Sequence, residues 1–123
     1  MQLNHLDLQV SDVIATVDFF ERLFGLQLQS SRTSPAIAIL SDGRDFVLVL
    51  QRHSDPVYPA GFHLGFLVED VDTVLDFHQR ARGAGFAVSE VDVNSRGTMV
   101  YCRAPDGYAV EVSCRKSRPG APR

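Results

Sequence analysis

Two stretches of the chain alternate apolar and polar residues with a period of two, and each runs into a pattern of helical spacing. In Leu3–Val10, Leu6, Leu8 and Val10 fall on one face and His5, Asp7 and Gln9 on the other, as in a half-buried strand. Phe62–Val68 repeats this, with Phe62, Leu64, Phe66 and Val68 opposite His63, Gly65 and Leu67. After the first, Val13, Val17, Phe20 and Phe24 recur at helical spacing; after the second, Val74, Phe77 and Ala81 form the better apolar stripe. Ser11 or Asp12 can cap the first helix and Glu69 or Asp70 the second. Gly25 and Gly83 are placed to end them in a left-handed conformation.

Three short strands complete each pattern. They are expected near Leu26–Ser31, Ala36–Leu40 and Phe46–Gln51, then near Phe86–Val91, Thr98–Arg103 and Ala109–Cys114. Ser41-Asp42-Gly43 and Pro105-Asp106-Gly107 mark the hairpin turns. The two halves are copies: a shift of 58 positions lays His5–Gly25 on His63–Gly83 with nine of 21 residues identical, against about one or two by chance. The predicted fold class is α+β. Two βαβββ modules, about 1–55 and 56–114, are joined by the proline-bearing stretch Gln51–Ala60. Residues 115–123 read as a disordered basic tail.

Composition narrows the function classes. A chain of 123 residues with 45% hydrophobic and 22% charged residues suits one globular domain. The net charge of −3 hides an asymmetry: the last nine residues hold four basic residues and no acidic one, which leaves −7 over residues 1–114. That balance argues against nucleic acid, whose phosphates need a basic surface. No apolar run approaches the ~20 residues of a membrane span, and the first residues lack the pattern of an export signal. Cys102 and Cys114 then read as free buried thiols in a reducing cytoplasm.

The helices must cover one face of each sheet, so His5 and His63 point to the other, concave face. The alternation Ala109, Glu111, Ser113 brings Glu111 to the same side, with Met99, Tyr101 and Arg103 from the strand before it. Two imidazoles and a carboxylate on one surface suit a divalent ion such as Zn, Ni, Mn, Fe(II) or Co, with positions left open for water or substrate. A lone strand histidine is more often exposed or hydrogen-bonded than a ligand. Here the two occupy equivalent places in a repeat, and a carboxylate inside the apolar run Ala-Val-Glu-Val is costly without a partner. His53 and His78 lack such support and read as surface or packing residues.

The opening Leu3-Asn4-His5-Leu6, the signature Val10-x-Asp12-Val13 leading to Phe19-Phe20 and Leu23-Phe24-Gly25, and the closing Pro105-Asp106-Gly107-Tyr108-Ala109-Val110-Glu111 resemble the vicinal oxygen chelate superfamily. This group includes glyoxalase I, fosfomycin-resistance thiol-transferases, extradiol dioxygenases and bleomycin-binding proteins. The resemblance implies paired βαβββ modules forming a curved eight-stranded mixed sheet around a cavity, and a metal held by His5, His63 and Glu111. Where glyoxalase I carries a fourth ligand, this chain has Val47 or Val49, both apolar, with Gln51 as a weak substitute; glyoxalase I chemistry is disfavoured. Three ligands are similar to the thiol-transferases and dioxygenases. The dioxygenases are generally longer, and the thiol-transferases carry a Thr where Asp7 stands.

The resemblance thus implies a divalent-metal-dependent enzyme acting on a small oxygen-chelating substrate by isomerase, lyase or thiol-transferase chemistry. Tyr101 is its donor or general acid and Asp7 its candidate base, with Ser95, Arg96, Arg103 and Gln51 toward the substrate. The alternative is a metal-free protein that sequesters a small molecule or antibiotic. It needs an aromatic cavity, and the chain has no Trp and 9% aromatic residues. Family members commonly pair modules between two chains, which implies a homodimer.

Overall fold

Asp12 ends the first strand and begins the first helix. Its carboxylate accepts the Ala15 N–H at 3.0 Å, while the alternative cap, Ser11, turns to Asp106. In a computed structural model that describes residues 1–30 and 32–116, the elements run in the predicted order. The first βαβββ comprises β1 (His5–Val10), α1 (Val13–Phe24), β2 (Gln27–Leu28), β3 (Ile37–Ser41) and β4 (Val47–Arg52). The second comprises β5 (His63–Leu67), α2 (Val71–Gly83), β6 (Asp92–Asn94), β7 (Gly97–Arg103) and β8 (Ala109–Arg115). Among the described residues no helix is long and apolar enough to cross a membrane.

The eight strands form two four-stranded sheets, ordered β1-β4-β3-β2 and β5-β8-β7-β6, rather than one continuous sheet. In each, the first strand pairs in parallel with the last and the other pairs are antiparallel. Parallel neighbours need a long crossover, because no tight turn can join them; here it holds the helix and the two middle strands of each unit. The chain divides into two compact units. Unit 1 is Met1–Pro59 with Ala104–Asp106; unit 2 is Ala60–Arg103 and the chain from Gly107 on.

Each helix buries one stripe on its own sheet. Val13, Thr16, Val17, Phe19, Phe20 and Leu23 of α1 are buried with Val10, Leu40, Leu48 and Leu50. Val74, Phe77 and Ala81 of α2 are buried with Val100, Cys102 and Val110. Removing this apolar area from water is the main favourable term for each unit, at roughly 25 cal/mol per Å².

Three local expectations need correction. Gly25 takes the left-handed conformation that ends α1, but Gly83 is the last residue of α2, and the left-handed position falls to Gly85 (φ 86°). No regular strand forms over Phe86–Val91. Ser89 Oγ accepts the Tyr101 N–H at 2.9 Å in place of a backbone acceptor, and pairing is limited to the bonds Ser89 N–H to Tyr101 O and Arg103 N–H to Ala87 O around a single bridge of Val88 to Cys102. Finally, β8 continues to Arg115, into what reads as tail; residues 117–123 of that tail lie outside the described residues.

Candidate functional site

In unit 2 the alternation of β5, β7 and β8 sends Leu64, Phe66, Val100, Cys102, Val110 and Val112 toward α2 and leaves the opposite face to polar groups. Gly65 and Tyr101 flank Glu111 on its two neighbouring strands. Tyr101 Oη donates to Glu111 Oε1 at 2.8 Å. That bond is the main reason the phenol is held above its ordinary range; burial and the carboxylate's charge add to it, and Arg96 opposes it. Tyr101 therefore stays a neutral donor at physiological pH.

The other carboxylate oxygen, Oε2, turns toward Gly65. A Cβ at Gly65 would stand 3.1 Å from it, so the missing side chain leaves this oxygen its space. His63 lies on the same face, its ring edge-to-face with Tyr101 at 6.2 Å between centroids. Its Nδ1 stands 2.9 Å from the Gly61 carbonyl oxygen. A carbonyl only accepts, so the neutral ring carries its proton on Nδ1 and presents the Nε2 lone pair outward.

Two grooves share this face. One, of about 670 Å³, is lined by His63, Tyr101, Ser89 and Arg103; Arg103 Nη1 donates to the Gly107 carbonyl at 2.6 Å. The other, of about 530 Å³, is lined by Glu111, Ser95, Arg96 and Arg115. Met99, on the polar face by count, is buried. Its sulfur accepts from Asn94 Nδ2 at 3.7 Å and Arg96 Nη2 at 3.8 Å.

In unit 1 the corresponding face carries His5, Asp7 and Gln9 of β1. His5 Nδ1 lies 2.8 Å from Asn4 Oδ1, which leaves Nε2 outward as in His63. Gln51 Nε2 donates to Asp7 Oδ2 at 2.5 Å, and Tyr58 Oη donates to the Gln9 carbonyl. Strand register settles which valine replaces the fourth ligand. His5 pairs with Val47 as His63 pairs with Ala109, and Asp7 pairs with Val49 as Gly65 pairs with Glu111. Val49 is the counterpart of Glu111. Unit 1 has its carboxylate on the neighbouring strand, directly across from that valine.

Among the sequence-predicted site residues, His63, Tyr101 and Glu111 share one face of unit 2, with Ser95, Arg96 and Arg103 in its grooves. His5, Asp7 and Gln51 share one face of unit 1. Among the described residues no three His, Cys, Asp or Glu side chains are grouped to hold an ion. Sequence reasoning missed Gly65, Arg115 and Lys116. The alternation Glu111, Ser113, Arg115 carried the signal for Arg115, but the composition of the tail hid it.

A sequence model of the Glyoxalase/Bleomycin resistance protein/Dioxygenase superfamily matches residues 2–112. A lactoylglutathione lyase of Neisseria meningitidis is 28% identical over 128 residues, covering 95% of this chain and 93% of the relative. A possible glyoxalase from Bacillus cereus superposes with a TM-score of 0.84 at 35% identity, covering 93% of this chain and 99% of that one. The fosfomycin resistance protein FosX of Listeria monocytogenes gives 0.79 at 16% identity, covering 94% of each chain, a likeness of fold alone.

Proposed function

Because the chain belongs to the Glyoxalase/Bleomycin resistance protein/Dioxygenase superfamily, we propose that it is a divalent-metal-dependent enzyme acting on a small substrate with two neighbouring oxygens. The observation that carries this reading is the state of Glu111. One oxygen is occupied by the neutral Tyr101 hydroxyl, and the other faces space that a Cβ at Gly65 would fill. By chemistry, two imidazole Nε2 atoms and one carboxylate are a donor set that suits a divalent ion, and a second hydrogen bond fixing each ligand is the usual support of such sites. His5, His63 and Glu111 would hold it. Zn, Ni, Mn, Fe(II) and Co all suit two imidazoles and one carboxylate.

A bound divalent ion supplies Lewis-acid polarisation of substrate oxygens. The chain's own groups do the rest. Tyr101, kept neutral, holds Glu111 in orientation and is a proton donor at its Oη. Asp7, with Oδ2 engaged by the Gln51 amide, keeps Oδ1 free to take a proton. Ser95, Arg96 and Arg103 orient the substrate from the two grooves. Val49 in place of a fourth carboxylate speaks against glyoxalase I chemistry; the reading kept is isomerase, lyase or thiol-transferase chemistry with Asp7 as base.

We read the active form as a cytoplasmic homodimer. Ile37 and Ile39 remain 45% and 44% exposed on β3, and apolar side chains on a sheet face favour a covering partner.

The test is metal content. Protein purified without chelator should hold about one divalent ion per site, lost in His63→Ala and Glu111→Ala chains that keep their circular dichroism. Wild-type content in His63→Ala, or no uptake by the wild type from added Zn, Ni, Mn, Fe(II) or Co, overturns the reading and leaves the metal-free binder.

A further inference from the structure

The Met99 sulfur sits among three hydrogen-bond donors. Met99 pairs with Asp92 of β6 and Ser113 of β8, is 3% exposed, and lines the groove of about 530 Å³ beside Glu111. Besides Asn94 Nδ2 at 3.7 Å and Arg96 Nη2 at 3.8 Å, the Tyr101 hydroxyl lies 3.5 Å from this sulfur. The turn that brings Asn94 and Arg96 there is held to the end of β8. Gly97 has φ 139°, and a Cβ on it would lie 2.0 Å from the Cys114 carbonyl oxygen and 2.9 Å from the Lys116 nitrogen, so only glycine permits this approach. The Arg96 N–H donates to Asn94 Oδ1 at 2.8 Å, and the Lys116 N–H donates to the Arg96 carbonyl at 3.1 Å.

A thioether is a weak acceptor, so an amide, a guanidinium and a phenol around one sulfur gain little from it. Oxidising a methionine in an apolar core creates a polar oxygen that nothing can pair with. Around Met99 the donors for that oxygen are already in place. The Asn94 amide gives one N–H to Asp92 Oδ2 at 3.2 Å and has a second for Met99. Tyr101 has a single proton, held by Glu111 Oε1 at 2.8 Å, an acceptor that the reduced sulfur does not rival.

We propose that Met99 is an oxidative modification site: a hydroperoxide converts its thioether to the sulfoxide, and Asn94, Arg96 and Tyr101 hold the new oxygen. The sulfur lone pair attacks a peroxide oxygen, so that the S–O bond forms as the O–O bond breaks. The sulfur loses two electrons, and the leaving oxygen takes the peroxide's proton and departs as water or an alcohol. The Arg96 cation favours the charge that develops on that leaving oxygen. The sulfoxide oxygen then competes with Glu111 Oε1 for the one Tyr101 proton, which loosens the orientation of Glu111. The inference stands on Met99 and its donors and needs no bound metal.

The experiment treats the full chain with hydrogen peroxide and follows its two methionines, Met1 and Met99, by peptide mass spectrometry. The exposed Met1 is the internal reference. Met99 should oxidise within about a hundredfold of the Met1 rate, whereas a sulfur reached only by global unfolding would lag by about a thousandfold or more. The rate should be the same in His63→Ala, which separates reaction at the sulfur from oxidation driven by an ion at the proposed metal site. The oxidised chain should keep its circular dichroism, and the carbon-13 signal of the Glu111 carboxyl should shift. Arg96→Gln and Asn94→Ala should each lower the urea midpoint of the oxidised chain more than that of the reduced one. Met99 slower than the hundredfold limit, a rate lost in His63→Ala, unfolding on oxidation, an unmoved Glu111 signal, or equal midpoint losses in the two forms overturns the proposal.

Discussion

Gly65 lies directly across from Glu111 in the β5–β8 pair, and a Cβ on it would meet Glu111 Oε2 at 3.1 Å. At that separation the carboxylate must shift by a few tenths of an ångström. Gly65 has no positive φ, so alanine fits the strand and the strain falls on Glu111 alone. The Gly65→Ala chain should keep its thermal transition while holding a divalent ion about 10- to 100-fold less tightly, the usual effect of disturbing a ligand's support. Competition with a coloured chelator measures this. Unchanged affinity would take Oε2 out of the ligand set.

Tyr101→Phe tests the other oxygen. Losing one hydrogen bond to a carboxylate costs about 1.5–3 kcal/mol, reduced here because the pair is only half-buried. The phenylalanine chain should therefore unfold at slightly lower urea and lose activity more than stability. An unchanged kcat with lowered stability would give Tyr101 a structural role only.

Asp106 accepts the Ser11 N–H at 3.1 Å and its hydroxyl at 2.6 Å. Burial first, and the charge of Asp106 second, hold Tyr58 above its ordinary pKa. Asp106→Ala should destabilise the chain by about 1–2 kcal/mol and lower the Tyr58 titration midpoint in ultraviolet absorbance. Ser11→Ala combined with Asp106→Ala should cost less than the two separately, since both remove one contact. A Tyr58 midpoint that stays put would show that Asp106 exerts no field there.

Cys102 is fully buried, and burial pushes its thiol from 9.0 up to about 11. The folded state thus keeps the proton more tightly than the unfolded one. The stability this contributes is complete below about pH 9 and is lost as pH rises toward 11, by at most about 2.7 kcal/mol. Urea midpoints between pH 8 and 10.5 should fall more steeply in the wild type than in Cys102→Ala. Equal slopes would mean that the thiol ionises as freely in the fold as outside it.

The repeat made much of this architecture legible. His5 and His63 announce two equivalent strands, and Asp12 and Asp70 cap the helices because short carboxylates reach backbone N–H groups three residues on. What stayed hidden depends on register and on backbone approach. Val47 and Val49 could not be told apart until strand pairing fixed Val49 opposite Asp7. The Ser89 hydroxyl accepts the Tyr101 N–H in place of a backbone acceptor, which alternation cannot reveal. Arg115 and Lys116 resemble a solvated tail in composition, and their place follows from the contact that Gly97 permits.

The proposed dimer makes the sharpest prediction. If modules pair between chains, each metal site takes His5 from one subunit and His63 with Glu111 from the other. A His5→Ala chain and a Glu111→Ala chain then hold no metal alone. Mixed and fully exchanged, half of the dimers are heterodimers on symmetry grounds, and each has one intact site and one doubly broken site, so about a quarter of all sites recover. Metal content after exchange, with the heterodimer fraction counted by native mass spectrometry, gives the number. Sites assembled within one chain recover nothing, because every chain in the mixture lacks one ligand. Sedimentation at 13.6 kDa, the mass of a single chain, or no recovery after proven exchange, rules out the cross-chain arrangement.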